Sequence, residues 1–329
     1  MINIIEFNFD GVVFLSCIIL FYQKNKMLNR IIANILPYMP KKLIWVFSKR
    51  YIAGETLEDG LLASKLLNEK GIEVTIDILG EFISSLDEAK ANKSEYLKVI
   101  ERFTAENIKG NFSLKPTSFG LLIDKEICYN YIEEIVEFAA SKKSFIRIDM
   151  EDSQCVDLEI ELFRKLRIKY PKHVGLVVQA YMRRTKSDIE SLNDLNTEAA
   201  PLSFRLCKGI YVEPEQIAFK DYQEVRTNFL ADLRYMFDNK MYVGIATHDK
   251  YIVDEAMKMI SEMNIPKSMY EFQMLYGVTP ELRQSIVDGG HLMRVYVPYG
   301  KQWFGYSTRR LKENPKMAQH IIKALFIRG

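Results

Sequence analysis

The sequence is poor in the residues that build metal centres and disulfide frameworks. Its 329 residues include four cysteines and four histidines, and both kinds are scattered along the chain. Cys17, Cys128, Cys155 and Cys207 form no closely spaced pair of the kind found in zinc sites or disulfide-stapled domains. We therefore predict no metal site, no disulfide bond and a reducing, cytoplasmic location.

Long apolar runs and a strong charge of one sign are also missing. The net charge is +2 and basic runs such as 182–186 are short, so the chain has no general nucleic-acid footprint. The apolar run 11–22 is far shorter than the roughly 20 residues that span a bilayer. It follows Glu6 and Asp10 without a basic segment, which is not the pattern of a secretory signal.

The amino-terminal part is interpreted as a lead-in to one domain. We take Met27 as the true start and residues 1–26 as an upstream extension. Apolar residues then recur at helical spacing, namely at Leu28, Ile31, Ile32, Ile35 and Leu36. Since no low-complexity linker or composition shift divides the rest, we predict an extension and helical lead-in over 1–70 and one catalytic domain over 71–329.

Short apolar, β-branched runs recur through the middle of the chain and predict its fold. They cover 74–79, 112–115, 145–149, 175–180, 204–208, 243–248, 271–276 and 292–297. Amphipathic stretches long enough for helices, such as 129–140 and 251–262, lie between them. Buried strands that alternate with helices indicate a parallel sheet, and eight of them close a barrel. The predicted fold class is α/β, a (βα)8 TIM-like barrel with an amino-terminal helical lead-in.

Polar residues gather at the carboxyl ends of these strands, where such a barrel carries its active site. In chain order they are Glu81, Lys115, Asp149, Gln179, Arg205, Lys208, Thr247, His248, Asp249, Gln273 and Tyr296. A charge inside a buried strand is costly without a partner. Arg205 and Lys208 therefore need one, such as Asp149, a ligand phosphate or a flavin ring. His248 alone equally suits a structural histidine.

A second cluster of charges follows the last strand. The segment 306–314 predicts a helix whose opening turn carries Arg309 and Arg310, with Glu313 within reach of both. Cations at a helix amino end oppose the macrodipole. We therefore expect an anion, such as a carboxylate, to bind between the two arginines, and a solvated basic turn is the alternative.

Taken together, these motifs resemble the proline dehydrogenases, which are FAD enzymes on a (βα)8 barrel. The matching residues are Asp149-x-Glu151, Gln179-Ala-Tyr181, Arg205-x-x-Lys208-Gly-x-Tyr211, Thr247-His248, Gln273-x-Leu275 and Tyr296-x-Pro-x-Gly, then Arg309-Arg310-Leu-x-Glu313-Asn314. They run in order across most of the chain. Departures are Asp249, Lys312 and Ile210, where Asn, Leu and Ala are common. The resemblance implies a monofunctional enzyme that oxidises L-proline to Δ1-pyrroline-5-carboxylate by hydride transfer to the flavin N5.

The resemblance also implies roles for individual residues. Catalytic roles fall to Arg205, beside the flavin N5, and to Asp149 and Lys115. The implied FAD contacts are Val177, Gln179, Arg205, Lys208, Gly209, Thr247, His248, Asp249, Gln273, Arg310 and Glu313. The implied substrate contacts are Lys115, Asp149, Tyr211, Leu275, Tyr296, Tyr306, Arg309, Arg310 and Glu313. Glu81 is expected to form a gate with Arg309, and an aromatic residue at 296 goes with proline rather than hydroxyproline.

Other functions stay open at this point. The chain could be a hydroxyproline dehydrogenase of the same family, a degenerate barrel with a binding role, or a flavin-free lyase with Lys115 or Lys208 as Schiff-base amine. The resemblance implies a membrane quinone as electron acceptor and hence peripheral contact with the inner face of the membrane. Segment 36–47 is a candidate surface for that contact. We favour the alternative interpretation, in which this segment is a helix packed on the barrel.

Overall fold

The structure, a computed structural model, describes residues 44–45, 48–80 and 82–313, and for residues 309–313 only the helical backbone. The predicted lead-in around Met27, the predicted gate residue Glu81 and Asn314 lie outside these ranges. The chain divides into two compact units. One consists of residues 50–301, and the other combines the residues before 50 with those from 302 onward.

The larger unit contains eight parallel strands that close into a barrel in chain order, with β8 pairing with β1. The strands are β1 (Glu73–Ile78), β2 (Gly110–Leu114), β3 (Ile146–Ile148), β4 (Val174–Gln179), β5 (Ser203–Cys207), β6 (Tyr242–Ala246), β7 (Tyr270–Leu275) and β8 (Met293–Tyr299). Each coincides with a predicted strand to within two residues at both ends. The predicted (βα)8 barrel is confirmed.

One helix precedes β1, and the others follow the strands along the chain. They are α1 (Leu57–Asn68), α2 (Leu86–Ala105), α3 (Lys125–Ser141), α4 (Val156–Lys169), α5 (Thr185–Ser191), α6 (Tyr222–Asp238), α7 (Lys250–Glu262) and α8 (Pro280–Asp288). Short 3-10 helices cover Pro116–Phe119, Asn193–Leu195 and Lys267–Met269. The two amphipathic stretches predicted as helices correspond to α3 and α7. None of the helices among the described residues is long and apolar enough to cross a membrane.

Alternation along the strands separates an apolar shell from a polar interior. Val74, Ile76, Phe112 and Phe204 are fully buried and belong to the core cluster that the strands share with the helices. Their neighbours in sequence point the other way, because successive side chains of a strand leave opposite faces. The apolar shell therefore holds the barrel together, and polar residues can occupy the positions that face its interior.

Helix caps fix where the loops at the barrel mouth turn into helices. Asp249 caps α7, because its side chain accepts a hydrogen bond from the backbone N–H of Tyr251. Asp221 caps α6 in the same way through Gln223 and Glu224. Each cap satisfies a backbone donor that the first helical turn leaves without an intrahelical partner.

The smaller unit contains helix α9 (Trp303–Glu313), which corrects one expectation. The prediction that Arg309 and Arg310 lie in the opening turn of their helix is wrong, since the helical residues 303–308 precede them. Tyr306 is in the first turns instead. The macrodipole argument for an anion between the arginines therefore fails, because it applies only within the first turn of a helix.

Candidate active site

Polar and charged side chains occupy the interior of the barrel at the level of its carboxyl half. Contacts across the barrel establish this, since Arg205 on β5 donates to Ser113 on β2 and Tyr296 on β8 donates to Asp149 after β3. Most (βα)8 barrels fill this space with branched aliphatic residues. A charged interior is costly unless each charge is paired, so its members mark a functional site.

Asp149 is the centre of this cluster. Its Oδ1 accepts a hydrogen bond from Arg205 Nη1 at 2.9 Å and another from the Ser113 hydroxyl. Its Oδ2 accepts from the Tyr296 hydroxyl at 3.2 Å and lies 3.4 Å from Lys115 Nζ. One carboxylate therefore holds two cations and a phenol at fixed positions.

Lys115 is shared between two carboxylates. Its Nζ lies 2.9 Å from Asp77 Oδ1 and donates to the Tyr296 hydroxyl at 3.1 Å. Burial alone would lower the pKa of Lys115, but the charges of Asp77 and Asp149 outweigh it and raise the pKa well above its ordinary value. The amine is thus protonated and serves as a cation and hydrogen-bond donor.

Asp77 is a member of the site that the sequence analysis missed. It is fully buried on β1, and its Oδ2 has no hydrogen-bond partner among the described residues. Burial raises the pKa of Asp77 to about 6, although the charge of Lys115 opposes this. The signal was present, because an acidic residue inside the apolar run 74–79 meets the criterion applied to Arg205.

Arg205 is held on two of its three nitrogens. Nε donates to Gln273 Oε1 at 2.7 Å and Nη1 donates to Asp149 and to Ser113, whereas buried Nη2 has no partner in the described part of the chain. The guanidinium carbon also lies 5.2 Å from the centre of the Tyr296 ring, within cation–π range. Because the guanidinium group is planar and two of its nitrogens are fixed, the N–H groups of Nη2 point in one fixed direction.

A second charged cluster lies where β5 and β6 end. Asp249 pairs with Arg226 through Nη2 at 2.7 Å and Nε at 2.9 Å, and Lys208 Nζ lies 3.4 Å from its Oδ2. The Tyr222 hydroxyl donates to the same oxygen. Against the effect of burial, the hydrogen bonds from Arg226 and Tyr222 and the charge of Lys208 hold the pKa of Asp249 below its usual range. Arg226 and Tyr222 were missed, because nothing distinguishes them in sequence from other polar residues of an amphipathic helix.

The β6–α7 loop carries two more residues predicted as cofactor contacts. The Thr247 hydroxyl accepts a hydrogen bond from the Asp249 backbone N–H at 3.1 Å. His248 Nε2 accepts from the Leu275 backbone N–H at 3.3 Å, and its Nδ1 lies 3.3 Å from the Thr279 hydroxyl. His248 therefore ties the end of β7 to the loop after β6, as a structural histidine does.

The carboxyl ends of β4 and β5 supply the remaining positions. Gln179 is buried and its Nε2 donates to the Glu151 carbonyl oxygen at 2.8 Å, while Val177 is the strand neighbour of Arg205. Gly209 has φ of +104°, and an added Cβ would lie 2.1 Å from the ring of Tyr181. Glycine is required there both by the backbone conformation and by the close approach of that ring.

The structure therefore brings five of the predicted residues into one hydrogen-bonded cluster: Lys115, Asp149, Arg205, Gln273 and Tyr296. Leu275 is partly buried at the end of β7, and Tyr211 is partly buried in the loop that follows β5. Tyr306 is buried in the smaller unit. Glu81 and the side chains of Arg309, Arg310 and Glu313 lie outside the described part of the chain, so their roles stay predictions.

Comparison with known proteins identifies the family to which this barrel belongs. The family model described as proline dehydrogenase matches residues 62–322. Proline dehydrogenase 2 of Bacillus subtilis (strain 168) is 35% identical over 309 residues, which cover 93% of this chain and 97% of that protein. The proline dehydrogenase of Deinococcus radiodurans is 33% identical over 291 residues, which cover 87% of this chain and 92% of that protein.

A solved structure agrees at the level of the fold. The proline utilization A protein of Bdellovibrio bacteriovorus, inactivated by N-propargylglycine, superposes with a TM-score of 0.77 and 27% identity over 82% of this chain. The chain spans about a third of that much longer protein, since the match covers 32% of it. The chain belongs to the proline dehydrogenase family, and the family resemblance inferred from the motifs is confirmed.

Proposed function

We propose that this chain is a flavin-dependent oxidoreductase that converts L-proline to Δ1-pyrroline-5-carboxylate. The observation that carries the proposal is the buried cluster of Lys115, Asp149, Arg205 and Tyr296 at the mouth of the barrel. Arg205 Nη2 and Asp77 Oδ2 in this cluster have no hydrogen-bond partner among the described residues, and such groups are costly to bury unless a polar ligand completes them. Relatives over nearly the whole chain are named proline dehydrogenases, which supports proline as that ligand.

The residues at the mouth of the barrel fit FAD. Arg205 Nη2 is a buried donor with no acceptor in the described part of the chain, and a flavin ring offers acceptor atoms. Lys208 and Arg226 share the single carboxylate of Asp249, which leaves one net positive charge to attract a diphosphate. Asp249 also stands where the family commonly has Asn, and its existing bond to Arg226 makes it a holder of that cation rather than a direct ligand.

The chemistry requires a partner that accepts a hydride, and no side chain can do this. FAD, when bound, would supply that acceptor at its N5. Within the proposal, Val177, Gln179, Lys208, Gly209, Thr247 and Gln273 hold the cofactor. Arg205 contributes a fixed positive charge, which stabilises negative charge that develops beside it.

The rest of the cluster binds and prepares the amino acid. The cation Lys115 and the guanidinium groups of Arg309 and Arg310 bind the substrate carboxylate, since arginine suits bidentate binding of carboxylates. The secondary amine must lose its extra proton before its neighbouring C–H bond can break. Asp77 and Asp149 are the carboxylates of the cluster and thus its candidate proton acceptors.

Tyr296 gives the proposed site its preference for proline. Its hydroxyl is already engaged by Lys115 and Asp149 at 3.1 and 3.2 Å. Its one proton is donated to Asp149, so the ring can cover an unsubstituted substrate ring but has no donor left for a further hydroxyl. This favours proline over hydroxyproline as substrate.

The contacts of Lys115 also weigh against a Schiff-base lyase. A nucleophilic amine needs a depressed pKa, whereas the carboxylates around Lys115 raise its pKa despite burial. Oxidation of the substrate is the reaction that this environment supports best. As electron acceptor we propose a membrane quinone, reached through peripheral contact of the protein with the membrane.

The decisive experiment is spectroscopic. Purified protein should be yellow, and anaerobic L-proline should bleach the flavin absorbance with formation of the pyrroline product. The variant Arg205→Met tests the role of this arginine and should reduce the rate of bleaching by at least tenfold. A folded, colourless protein that binds no added FAD, or a flavoprotein that proline fails to bleach, would overturn the proposal.

A further inference from the structure

Below the proposed active site, the barrel interior contains a continuous chain of polar contacts that ends at Gln273 and Arg205. The catalytic proposal assigns no role to its other members, Glu73, Arg294 and Glu271. It begins at Glu73 Oε2, which lies 2.5 Å from Arg294 Nη2. Arg294 binds Glu271, Glu271 binds Gln273, and Gln273 binds Arg205. Glu271, Gln273 and Arg294 are all buried. Every link is a hydrogen bond between side chains, so the chain connects the amino-terminal half of the barrel with the active-site arginine.

Gln273 reaches Arg205 across a strand that contributes no side chain at that level. Gly244 on β6 pairs with Arg205 on β5 and with Glu271 on β7. A Cβ added to Gly244 would lie 2.3 Å from Gln273 Nε2. The glycine thus leaves the space through which the amide of Gln273 extends from β7 towards β5.

The amide of Gln273 must point one way for this contact to exist. Its Oε1 accepts from Arg205 Nε at 2.7 Å, and its Nε2 donates to Glu271 Oε1 at 2.6 Å. In the flipped orientation the NH2 group would face the arginine N–H, and the carbonyl would face the carboxylate. Both contacts would be repulsive, because a guanidinium only donates and an ionised carboxylate only accepts.

Glu271 is held in the ionised form, which only accepts hydrogen bonds and therefore determines the orientation of the Gln273 amide. Arg294 grips it through Nε to Oε1 and Nη2 to Oε2, each at 2.8 Å, which is a bidentate ion pair. Arg294 Nη1 also donates to the Val74 carbonyl oxygen at 3.0 Å, which fixes the arginine itself. Although burial opposes it, Arg294 keeps the pKa of Glu271 below its ordinary value.

We propose that Glu271, held by Arg294, is a positioning residue for Arg205, because it decides which end of the Gln273 amide faces the guanidinium. With Nε fixed by Gln273 and Nη1 fixed by Asp149, the unpartnered Nη2 of Arg205 is aimed into the site before any ligand arrives. Such preorganisation by groups behind the directly acting residue is a recurrent requirement of precise sites. The inference rests on the proposed function, in which Arg205 acts on the cofactor.

The test compares three variants as FAD-loaded enzymes. Glu271→Gln should lower kcat for proline by tenfold or more, change KM by less than twofold and shift the flavin midpoint potential to a more negative value. KM is spared because Glu271 binds Gln273 and Arg294 and not Lys115, a proposed carboxylate-binding residue. Gln273→Met leaves the Glu271–Arg294 pair intact and should reproduce the effects on kcat and potential. Because Gln273 is also a proposed cofactor contact, the Kd for FAD is measured in this variant as well. Loss of kcat with a wild-type Kd supports the proposal, also where Glu271→Gln does not fold, and loss of kcat with weakened FAD binding overturns it.

Glu73→Gln is the matched control, since it removes a carboxylate from Arg294 without touching Gln273. Its kcat and potential should stay at the wild-type values. If Glu73→Gln loses as much kcat as Glu271→Gln, the effect arises from the weakened ion pairing of Arg294 and not from the Gln273 amide. That result would overturn the proposal. Wild-type kcat and potential in Gln273→Met would overturn it as well. Wild-type protein that proline does not reduce would instead refute the proposed function, whatever the variants do.

Discussion

Replacing Asp149 by Asn tests whether the charge of this carboxylate holds the site together. The substitution preserves shape but removes the negative charge shared by Arg205 and Lys115. Lys115 retains Asp77 at 2.9 Å. Arg205 retains Gln273 and Ser113 but no carboxylate, and only 7% of its side chain is exposed. One buried cation is therefore left without a counter-charge.

The size of the effect follows from that single uncompensated cation. Breaking a buried ion pair by removing one partner costs about 3–5 kcal/mol of folding free energy. We take the lower end, about 3 kcal/mol, because two neutral acceptors remain around Arg205. For a domain of this size about 1 kcal/mol shifts Tm by roughly 2–4 °C. Asp149→Asn should thus lower the Tm by about 6–12 °C, measured by calorimetry at one fixed FAD concentration.

Two further variants make the measurement specific. Asp77→Asn also removes a buried carboxylate from Lys115, but Asp149 remains, so its Tm should fall by only about 4 °C or less. The double variant Asp149→Asn/Arg205→Met removes the unpaired cation. Its loss of unfolding free energy should be about 2 kcal/mol smaller than the sum of the losses in the two single variants. Additive single effects, or an Asp149→Asn protein within 2 °C of wild type, would refute the reasoning.

Four further predictions concern substrate binding, access, selectivity and pH. Replacing Arg309 or Arg310 by Met should raise KM for proline by at least tenfold, about 1.4 kcal/mol of binding, with FAD still bound; unchanged KM in both variants would contradict the carboxylate role. Glu81→Ala should weaken proline binding modestly, because an exposed ion pair is worth under about 1 kcal/mol, and a ligand-bound crystal structure with Glu81 far from Arg309 would exclude the gate. Tyr296→Ser should raise the ratio of kcat/KM for trans-4-hydroxyproline to that for proline, and an unmoved ratio would remove this role from Tyr296. Burial raises the pKa of Asp232 from 3.8 to about 7, and its Oδ1 has no partner in the described residues. Because the folded-state pKa exceeds the unfolded one, ionised Asp232 costs no stability below about pH 4 and progressively more up to about pH 8. Asp232→Asn should therefore raise the Tm at pH 8, where the gain is at most about 4 kcal/mol, and leave it nearly unchanged at pH 4; equal shifts at both pH values would count against this assignment.

The fold was predictable because its signal is repeated eight times along the chain. Each buried strand is a short run of apolar residues, and the spacing between runs leaves room for one helix. The ends of the strands were predicted less well: β8 continues to Tyr299, two residues beyond the expected end at residue 297. Helix α9 was misjudged because the expected start at Tyr306 ignored the residues 303–305, which also form helix. Helix starts depend on capping geometry that a single sequence indicates only weakly.

The active site was predictable where a charge interrupts an apolar run. Lys115, Asp149 and Arg205 each do so, and the structure joins them. Asp77 satisfies the same rule but lies inside β1 rather than at its carboxyl end, where the predicted site residues gather. Arg226 could not have been found this way, because a charged residue on an amphipathic helix is ordinary. Its contact with Asp249 depends on how α6 packs beside α7, which is a property of the folded chain alone.

The polar interior also explains how this barrel can be both charged and stable. Lys115, Arg205 and Arg294 are cations in its interior, and each has at least one carboxylate within 3.5 Å. Arg147 is the instructive exception. It is fully buried on carbonyl and hydroxyl groups of β4 and β5, and burial together with the nearby charge of Arg205 lowers its pKa to about 9. The positive charges of Arg147 and Arg205 repel each other, so fixed contacts are needed to hold Arg205 in place. Asp149 holds Arg205 through Nη1, and Gln273, itself bound to Glu271, holds it through Nε. The same arrangement that makes the interior tolerable therefore fixes the direction in which Arg205 presents its remaining donor.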